Sequence, residues 1–291
     1  MKKSILAILL CMELLASAQR DSSAITRNDK IILVSGGVAC YGLMAWGMNE
    51  LWYKGYERSS LHWIDDSREW LQMDKAGHSF STYLLARSLS GGLESIGLNR
   101  NSSLTWGTAV SMLSVSTIEV FDGMSAGWGA SATDLLANAS GAGLFTLQSL
   151  VWEEEKIVPK FSWHSSPYAA FRPEVLGSTF PERLLKDYNG QTLWLSFNLT
   201  ALSGSTRLPP WLCLSIGYGA EGMVSGYDNP IASPYYKRYR QYYLSLDADL
   251  KKINTGNKTI NKVLSVLNFI KVPFPALVLS EGEVRGIGVY F

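Results

Sequence analysis

Hydrophobic positions follow two different patterns along the chain, and the first covers residues 30 to 152. Three long stretches there carry no charge, namely Ile31–Met48, Leu104–Ile118 and Leu135–Trp152. A fourth stretch, His78–Leu89, has the apolar spacing of a helix. Uncharged runs of such length are typical of helices that pack in or on a membrane. The pattern predicts a bundle of about four membrane-associated helices.

The second pattern begins after the charged segment Glu153–Lys156. Apolar and polar residues alternate with a period of two, which is typical of half-buried strands, at Leu193–Leu199, Leu212–Tyr218, Tyr242–Leu250 and Ile287–Phe291. The exception is Ile260–Ile270, which has helical spacing. Four or five strands are too few for a closed membrane barrel. We therefore expect an α+β protein whose C-terminal domain is mostly antiparallel β with one amphipathic helix.

The N-terminus has the three parts of a secretory signal. Met1-Lys2-Lys3 is followed by the apolar run Ile5–Leu15 and the small residues Ala16-Ser17-Ala18. Cys11 follows Leu10, where a lipoprotein signal requires a small residue, so we expect cleavage after Ala18 and no lipidation. The predicted organisation is a signal peptide at 1–18, a helical domain at 19–158 and a β-rich domain at 159–291. Such a protein is exported to the bacterial cell envelope and faces the periplasm.

Charge and cysteine content exclude several classes of function. The chain carries 26 basic and 25 acidic residues, a net charge of +1, so nothing favours nucleic acid as a partner. The hydrophobic share of 47% fits a protein whose partner is membrane lipid or another envelope component. Once Cys11 is removed, Cys40 and Cys213 are too few to indicate a disulfide framework or a zinc site.

Six polar residues stand out because they lie among apolar helices. They are Asp74 and His78 in one segment, Glu119 and Asp122 in a second, and Asp134 and Asn138 in a third. Residues four apart share one face of a helix, which applies to the first and third pairs. Because a lone buried charge is very unfavourable, we predict that these groups meet in a shared polar centre.

Three interpretations of this polar centre are open. His78 and the carboxylates could hold zinc, manganese or iron, although a single histidine among carboxylates matches no specific metal motif. The same groups could act as general acid and base if burial raises the pKa of Glu119. The reaction would then be hydrolysis or transfer on a lipid-linked envelope precursor. Alternatively, they satisfy one another and the backbone and so fix the register of the helices. The sequence implies no particular cofactor.

The order of these residues resembles a known family. Asp74-Lys75 with His78, then Glu119 with Asp122, then Ser131, Asp134, Asn138 and Gly141 are similar to the motif of the YfiM-like family of predicted periplasmic lipoproteins. That family looks like a relative of the VanZ-like membrane proteins. The resemblance implies a small VanZ-like helical bundle in the envelope and no established reaction. This chain lacks a convincing lipobox and continues about 130 residues past the motif, an extension that looks typical of Bacteroidetes-type envelopes.

Overall fold

The computed structural model describes residues 27–230 and 236–291 of the chain. The predicted signal peptide and Cys11 lie outside the described residues, as do the side chains of residues 27–34, 38, 40, 51 and 52. The fold is α+β, with a helical N-terminal part and an antiparallel sheet in the C-terminal part, as the hydrophobic pattern predicts. The chain divides into two compact units. Unit 1 comprises residues up to Asp66 and Ser81–Leu150, and unit 2 comprises Ser67–Phe80 and Val151–Phe291.

The helical part contains four long helices. They are α1 (Arg27–Met48), α2 (Met73–Ser95), α3 (Arg100–Gly123) and α4 (Ala132–Val151). Two very short strands, β1 (Trp63–Ile64) and β2 (Ala130–Ser131), pair in parallel. Asn99 caps α3, because its side chain accepts a hydrogen bond from the backbone N–H of Ser102 at 2.9 Å.

Among the described residues, one helix, α3, is long and apolar enough to cross a membrane by length and composition alone. The span predicted at Leu135–Trp152 does not meet that test. It falls largely in α4, which carries Asp134, Asn138 and Gln148 as buried polar residues. The span predicted at Ile31–Met48 lies in α1, where part of the side chains is outside the described set, and it stays a prediction.

The core of unit 1 is small and well packed. Tyr83, Ala86, Leu104 and Phe145 form a buried cluster in which the rings of Tyr83 and Phe145 meet edge to face, 5.8 Å apart. Gly107 of α3 lies against α2, because a Cβ at this position would be only 2.7 Å from the backbone nitrogen of Ser90. The absence of a side chain at Gly107 therefore lets α2 and α3 approach closely.

Unit 2 is built on a six-stranded antiparallel sheet in the order β3-β4-β5-β6-β7-β8. The strands are β3 (Ile157–Trp163), β4 (Gln191–Asn198), β5 (Leu212–Glu221), β6 (Tyr239–Ala248), β7 (Phe274–Ser280) and β8 (Glu283–Tyr290). The short helices α5 (Pro173–Leu176) and α6 (Phe180–Lys186) lie between β3 and β4, and α7 (Leu199–Ser203) follows β4. The helix α8 (Lys258–Val266) matches the predicted amphipathic segment between β6 and β7.

Two of the six strands, β3 and β7, were not predicted, and each contains a proline. Pro159 lies in β3, which is an edge strand of the sheet, where a missing N–H is tolerated. Pro275 lies in β7 beside an irregularity in the pairing with β8. The predicted domain boundary at Pro159 therefore falls within a strand, and the domain limits themselves stay a prediction.

The polar side of the central strands is the buried one. In β4, Trp194, Ser196 and Asn198 are at most 2% exposed, whereas the alternating Leu195 is 36% exposed. Gly217 of β5 leaves room for the Trp194 ring, since a Cβ there would lie 2.6 Å from Trp194 Cε3. The alternation gave the period of the strands correctly but not which side faces the interior.

The sheet curls around this polar side. The hydroxyl groups of Thr192 on β4 and Tyr290 on β8 lie 2.8 Å apart, although three strands separate β4 from β8. Neighbouring strands are about 4.8 Å apart, so a flat sheet would place β4 and β8 roughly 19 Å from each other. A tyrosine side chain cannot reach that far. The sheet therefore has a narrow inner face and a convex outer face.

Candidate functional site

The N-terminus of α4 is the centre of a buried polar network in unit 1. The pairing of β1 with β2 places Ile64 opposite Ser131, and Asp66 follows two residues after Ile64. The hydroxyls of Ser131 and Thr133 donate to Asp66 Oδ1 at 2.5 and 2.9 Å. Asp66 is only 5% exposed. Its carboxylate is thus held by two hydroxyl groups at the first turn of α4.

Glu119 of α3 is also hydrogen-bonded to Ser131. Its Oε2 accepts a hydrogen bond from the backbone N–H of Ser131 at 2.9 Å, and the residue is 3% exposed. The Ser131 hydroxyl also accepts from the backbone N–H of Asp134 at 3.1 Å, which is the geometry of a helix N-cap. Acidic groups are favoured at this end of a helix, where the macrodipole is positive. Asp66, Glu119 and Asp134 are therefore stabilised by the start of α4.

Asn138 and Asp122 have other partners within unit 1. Asn138 Oδ1 accepts from the Thr82 hydroxyl at 3.1 Å, and both residues are 0% exposed, so this bond ties α4 to α2. Asp122 Oδ1 accepts from the Tyr53 hydroxyl at 2.7 Å. The Tyr53 ring in turn packs against Trp128 with ring centroids 5.6 Å apart.

Asp74 and His78 lie in unit 2, in the first two turns of α2. Asp74 Oδ1 accepts from the Tyr188 hydroxyl at 2.7 Å, and Lys75 Nζ lies 3.1 Å from Asp74 Oδ2. His78 Nε2 is 3.9 Å from Asp74 Oδ1, and the two side chains are 12% and 18% exposed. An imidazole and a carboxylate thus lie side by side, still within reach of solvent.

A left-handed turn precedes this pair. Trp70, Leu71 and Gln72 have φ values of 47°, 51° and 67°, which are unfavourable for residues other than glycine. The turn is held by contacts inside unit 2. Trp70 N donates to Gly226 O at 2.6 Å, and Arg240 donates to Gln72 Oε1 at 2.7 Å. This strained backbone fixes where α2 begins, and nothing in the sequence indicated it.

Each of the six predicted site residues has an observed contact within its own unit. Glu119 and Asp134 meet at Ser131, Asp74 lies beside His78, and Asn138 and Asp122 are bonded to Thr82 and Tyr53 respectively. Convergence of all six at one centre stays a prediction. Asp66 was missed, and the signal that could have found it was the pair of acids that follows the short apolar segment Trp63-Ile64.

A second buried polar network, also missed, lies inside unit 2. Lys160 Nζ is 3.0 Å from Asp247 Oδ2, and both side chains are 0% exposed. Lys271 Nζ donates to the carbonyls of Leu246 and Val272 at 2.8 and 2.7 Å, and lies 3.9 Å from Asp247 Oδ1. Burial lowers the pKa of Lys271 to about 8, although the Asp247 carboxylate opposes that change. These buried charges are paired with one another on the inner face of the sheet.

One family model matches the chain. Residues 62–149 match the family described as "Predicted periplasmic lipoprotein (DUF2279)". The match covers less than a third of the chain and includes all six predicted site residues. No curated protein and no solved structure showed significant similarity to the chain.

The match supports an exported, envelope-associated protein of unknown function, as predicted from the N-terminus and the resemblance. The finer YfiM-like and VanZ-like relationships stay predictions, as does the assignment to Bacteroidetes-type envelopes. The family description also names a lipoprotein, whereas Leu10 before Cys11 predicts that this chain is not lipidated. Cys11 lies outside the described residues, and the absence of lipidation stays a prediction.

Proposed function

We propose that the protein is a non-enzymatic component of the bacterial envelope, attached to a membrane through its helical unit and serving a structural or interaction role. The observation that carries the proposal is an exposed apolar stripe on α3. Trp106, Val110, Leu113 and Val120 are 60%, 40%, 65% and 49% exposed. Their spacing of four, three and seven residues places them on one side of the helix.

A similar stripe runs along α4. Leu136, Leu147 and Leu150 are 69%, 63% and 60% exposed, and their spacing again gives one face. Exposed apolar stripes on two neighbouring long helices are unusual for a protein surrounded by water, and they fit contact with lipid. The partner that this chemistry favours is membrane lipid or another envelope component.

The buried acids fit the structural role. Glu119 and Asp66 accept hydrogen bonds from Ser131, which caps the start of α4. In this role they stabilise the fold. The further proposal, that Asp74, His78, Glu119, Asp122, Asp134 and Asn138 form one centre fixing the register of the helices, rests on their helical spacing.

Membrane attachment is tested by washing isolated envelopes at alkaline pH, which removes peripheral proteins. We expect the wild type to stay with the membrane and the variant Leu113→Glu to be released in larger part, because a carboxylate replaces an exposed leucine. Glu94→Gln, an exposed change on α2, is the control. Release of the wild type in full would refute the proposal.

A second candidate function is a membrane-associated hydrolase or transferase acting on a lipid-linked envelope substrate. The observation that favours it is the pair formed by Asp74 and His78, because a carboxylate beside an imidazole can orient a general base. The variant His78→Asn separates the candidates. Loss of function in a protein with an unchanged melting temperature would support the enzyme, as would a stoichiometric zinc, manganese or iron that His78→Asn removes.

A further inference from the structure

The outer face of the sheet in unit 2 is a continuous apolar surface. Residues opposite each other in paired strands point to the same side, and one row crosses four strands through Leu195, Ile216, Leu244 and Leu277. These residues are 36%, 47%, 43% and 50% exposed. We call this row and its exposed neighbours the outer band, which comprises Leu195, Ile216, Tyr242, Leu244, Leu246, Leu277 and Leu279.

The inner side of this sheet buries charged groups beside the apolar cluster of Trp194, Tyr243 and Val278. Lys160, Asp247 and Lys271 are 0% exposed on the inner side, while leucines are exposed on the outer side. Burying ionised groups is unfavourable unless they are well paired, and leaving leucines in water forfeits their burial energy. Polar-in and apolar-out alternation is the pattern of strands that face lipid.

The shape and backbone bonding of the sheet favour lipid over a protein partner. The outer face is convex, because the sheet curls until Tyr290 meets Thr192 on the inner side. A convex surface offers no groove for a partner helix or strand. Each of the strands β4, β5, β6 and β7 has a paired neighbour on both sides, as contact with hydrocarbon requires for backbone groups.

The length of the outer band also suits a bilayer. Along β6 the exposed outward apolar positions run from Tyr242 to Leu246, which is roughly 14 Å at about 3.4 Å per residue. One leaflet of hydrocarbon is about 15 Å deep. Charged residues bound the band at both ends, with Arg240 before it and Lys251 and Lys252 after it.

A basic amphipathic helix lies next to the end of β6. In α8, Ile260 and Val263 are 48% and 50% exposed, while Lys258 and Lys262 lie on the opposite side of the helix. The segment after β6 is bonded to the residues after α8, since Leu250 N donates to the Asn268 side chain at 2.7 Å. A helix with one apolar and one cationic side is typical of the membrane surface.

We propose that the outer band is a lipid-facing surface that inserts into the hydrocarbon of a phospholipid bilayer, with α8 at the level of the headgroups. The inference rests on the proposed membrane attachment and adds a second, separate contact with the same membrane. It identifies the sheet of unit 2 as an anchor of the protein.

The test uses the full-length protein reconstituted in vesicles of phosphatidylcholine and phosphatidylglycerol. Single cysteines are placed at Leu244 or Leu277 in the outer band and at Leu185 in α6, an exposed leucine of the same unit, and are labelled with an environment-sensitive fluorophore. Leu113 on α3 reports on the helical unit. We expect labels at Leu244 and Leu277 to be quenched by spin-labelled acyl chains, and the label at Leu185 to be quenched by aqueous iodide.

Each outcome decides the matter. Lipid quenching at both Leu113 and Leu244 supports the inference. Quenching at Leu113 with a water-exposed Leu244 overturns it and leaves the proposed attachment intact, whereas no lipid quenching at either site defeats both. Shielding of Leu244 from lipid and iodide alike, with crosslinking to a second copy or another protein, would show a protein interface instead and would also overturn it.

A second variant measures the strength of this contact. Leu244→Lys places a charge in the outer band, and Leu185→Lys makes the same change on α6. We expect Leu244→Lys to weaken vesicle binding about tenfold or more relative to Leu185→Lys, because lysine is strongly disfavoured in hydrocarbon. Equal binding of the two variants, with unchanged circular dichroism, would contradict the inference.

Discussion

The buried carboxylate of Glu119 offers the sharpest test of the structural role of the polar residues. Glu119→Gln keeps the size of the side chain and one acceptor oxygen, but removes the charge that faces the first turn of α4. The Ser131 N–H donates to this carboxylate at 2.9 Å. A hydrogen bond to a charged group contributes about 1.5–3 kcal/mol and one to a neutral group about 0.5–1.5 kcal/mol. We therefore expect a loss of about 1–2 kcal/mol.

The loss should be local, so hydrogen–deuterium exchange is the appropriate measurement. A change of about 1.4 kcal/mol corresponds to a tenfold change in the equilibrium for opening. Amides in the first turn of α4, from Ser131 to Asp134, should exchange about tenfold faster in Glu119→Gln. Glu119→Ala should have a larger effect, because it leaves the Ser131 N–H without its acceptor and opens a cavity.

The matched control is Glu94→Gln, which makes the same change at an exposed position of α2. It should leave exchange in α4 unchanged. If Glu119→Gln exchanges like the wild type throughout α4, the carboxylate does not support the helix. A more stable Glu119→Gln would contradict the reasoning still more strongly, because it would mean that burial of the charge is uncompensated.

Three further predictions concern unit 2, and urea unfolding followed by tryptophan fluorescence checks each. Gly217→Ala should lower the free energy of unfolding by about 1–3 kcal/mol through its clash with Trp194; an unchanged value would contradict the packing. The hydrogen bond from the Ser178 hydroxyl helps to lower the pKa of Glu182 to about 2. The Glu182 carboxylate therefore stabilises the folded state above pH 4.5, and this stabilisation is lost as the pH falls towards 2. Glu182→Gln should therefore cost about 1 kcal/mol at pH 7 and almost nothing at pH 2; a constant difference would refute this. Burial lowers the pKa of Lys271 from 10.5 to about 8. The full cost of burying the charged lysine therefore applies below pH 8, and this cost falls as the pH rises towards 10.5. The stability of the wild type relative to Lys271→Met should accordingly grow between pH 7 and pH 10, and a flat difference would count against a buried charged lysine.

The division into helices and strands was predictable because it depends on local periodicity. The start of α4 was also visible, since Ser131 followed three residues later by Asp134 is a capping pattern. The bond from Ser131 to Glu119 was not, because it joins segments whose approach depends on the packing of α3. Pro159 and Pro275 concealed two strands, because a proline lacks the N–H that a strand normally donates. The sheet tolerates Pro159 in an edge strand and Pro275 beside an irregularity in the pairing.

The orientation of the strands shows a different limit of sequence reasoning. Leu244 and Ser245 alternate as in any half-buried strand, and the pattern is the same whichever side is interior. The structure buries Ser245 and exposes Leu244. Only the position of a residue such as Asp247, paired with Lys160 inside the curled sheet, reveals that the polar side is the inner one.

In the proposed structural role, the polar residues of the motif support the fold and catalyse no reaction. This role is tested most directly in a strain that lacks the protein and shows an envelope defect such as detergent sensitivity. His78→Asn is expressed there at the level of the wild type, and its melting temperature is measured in parallel. We predict that a folded His78→Asn restores resistance in full, whereas a folded protein that fails to restore it would contradict the account.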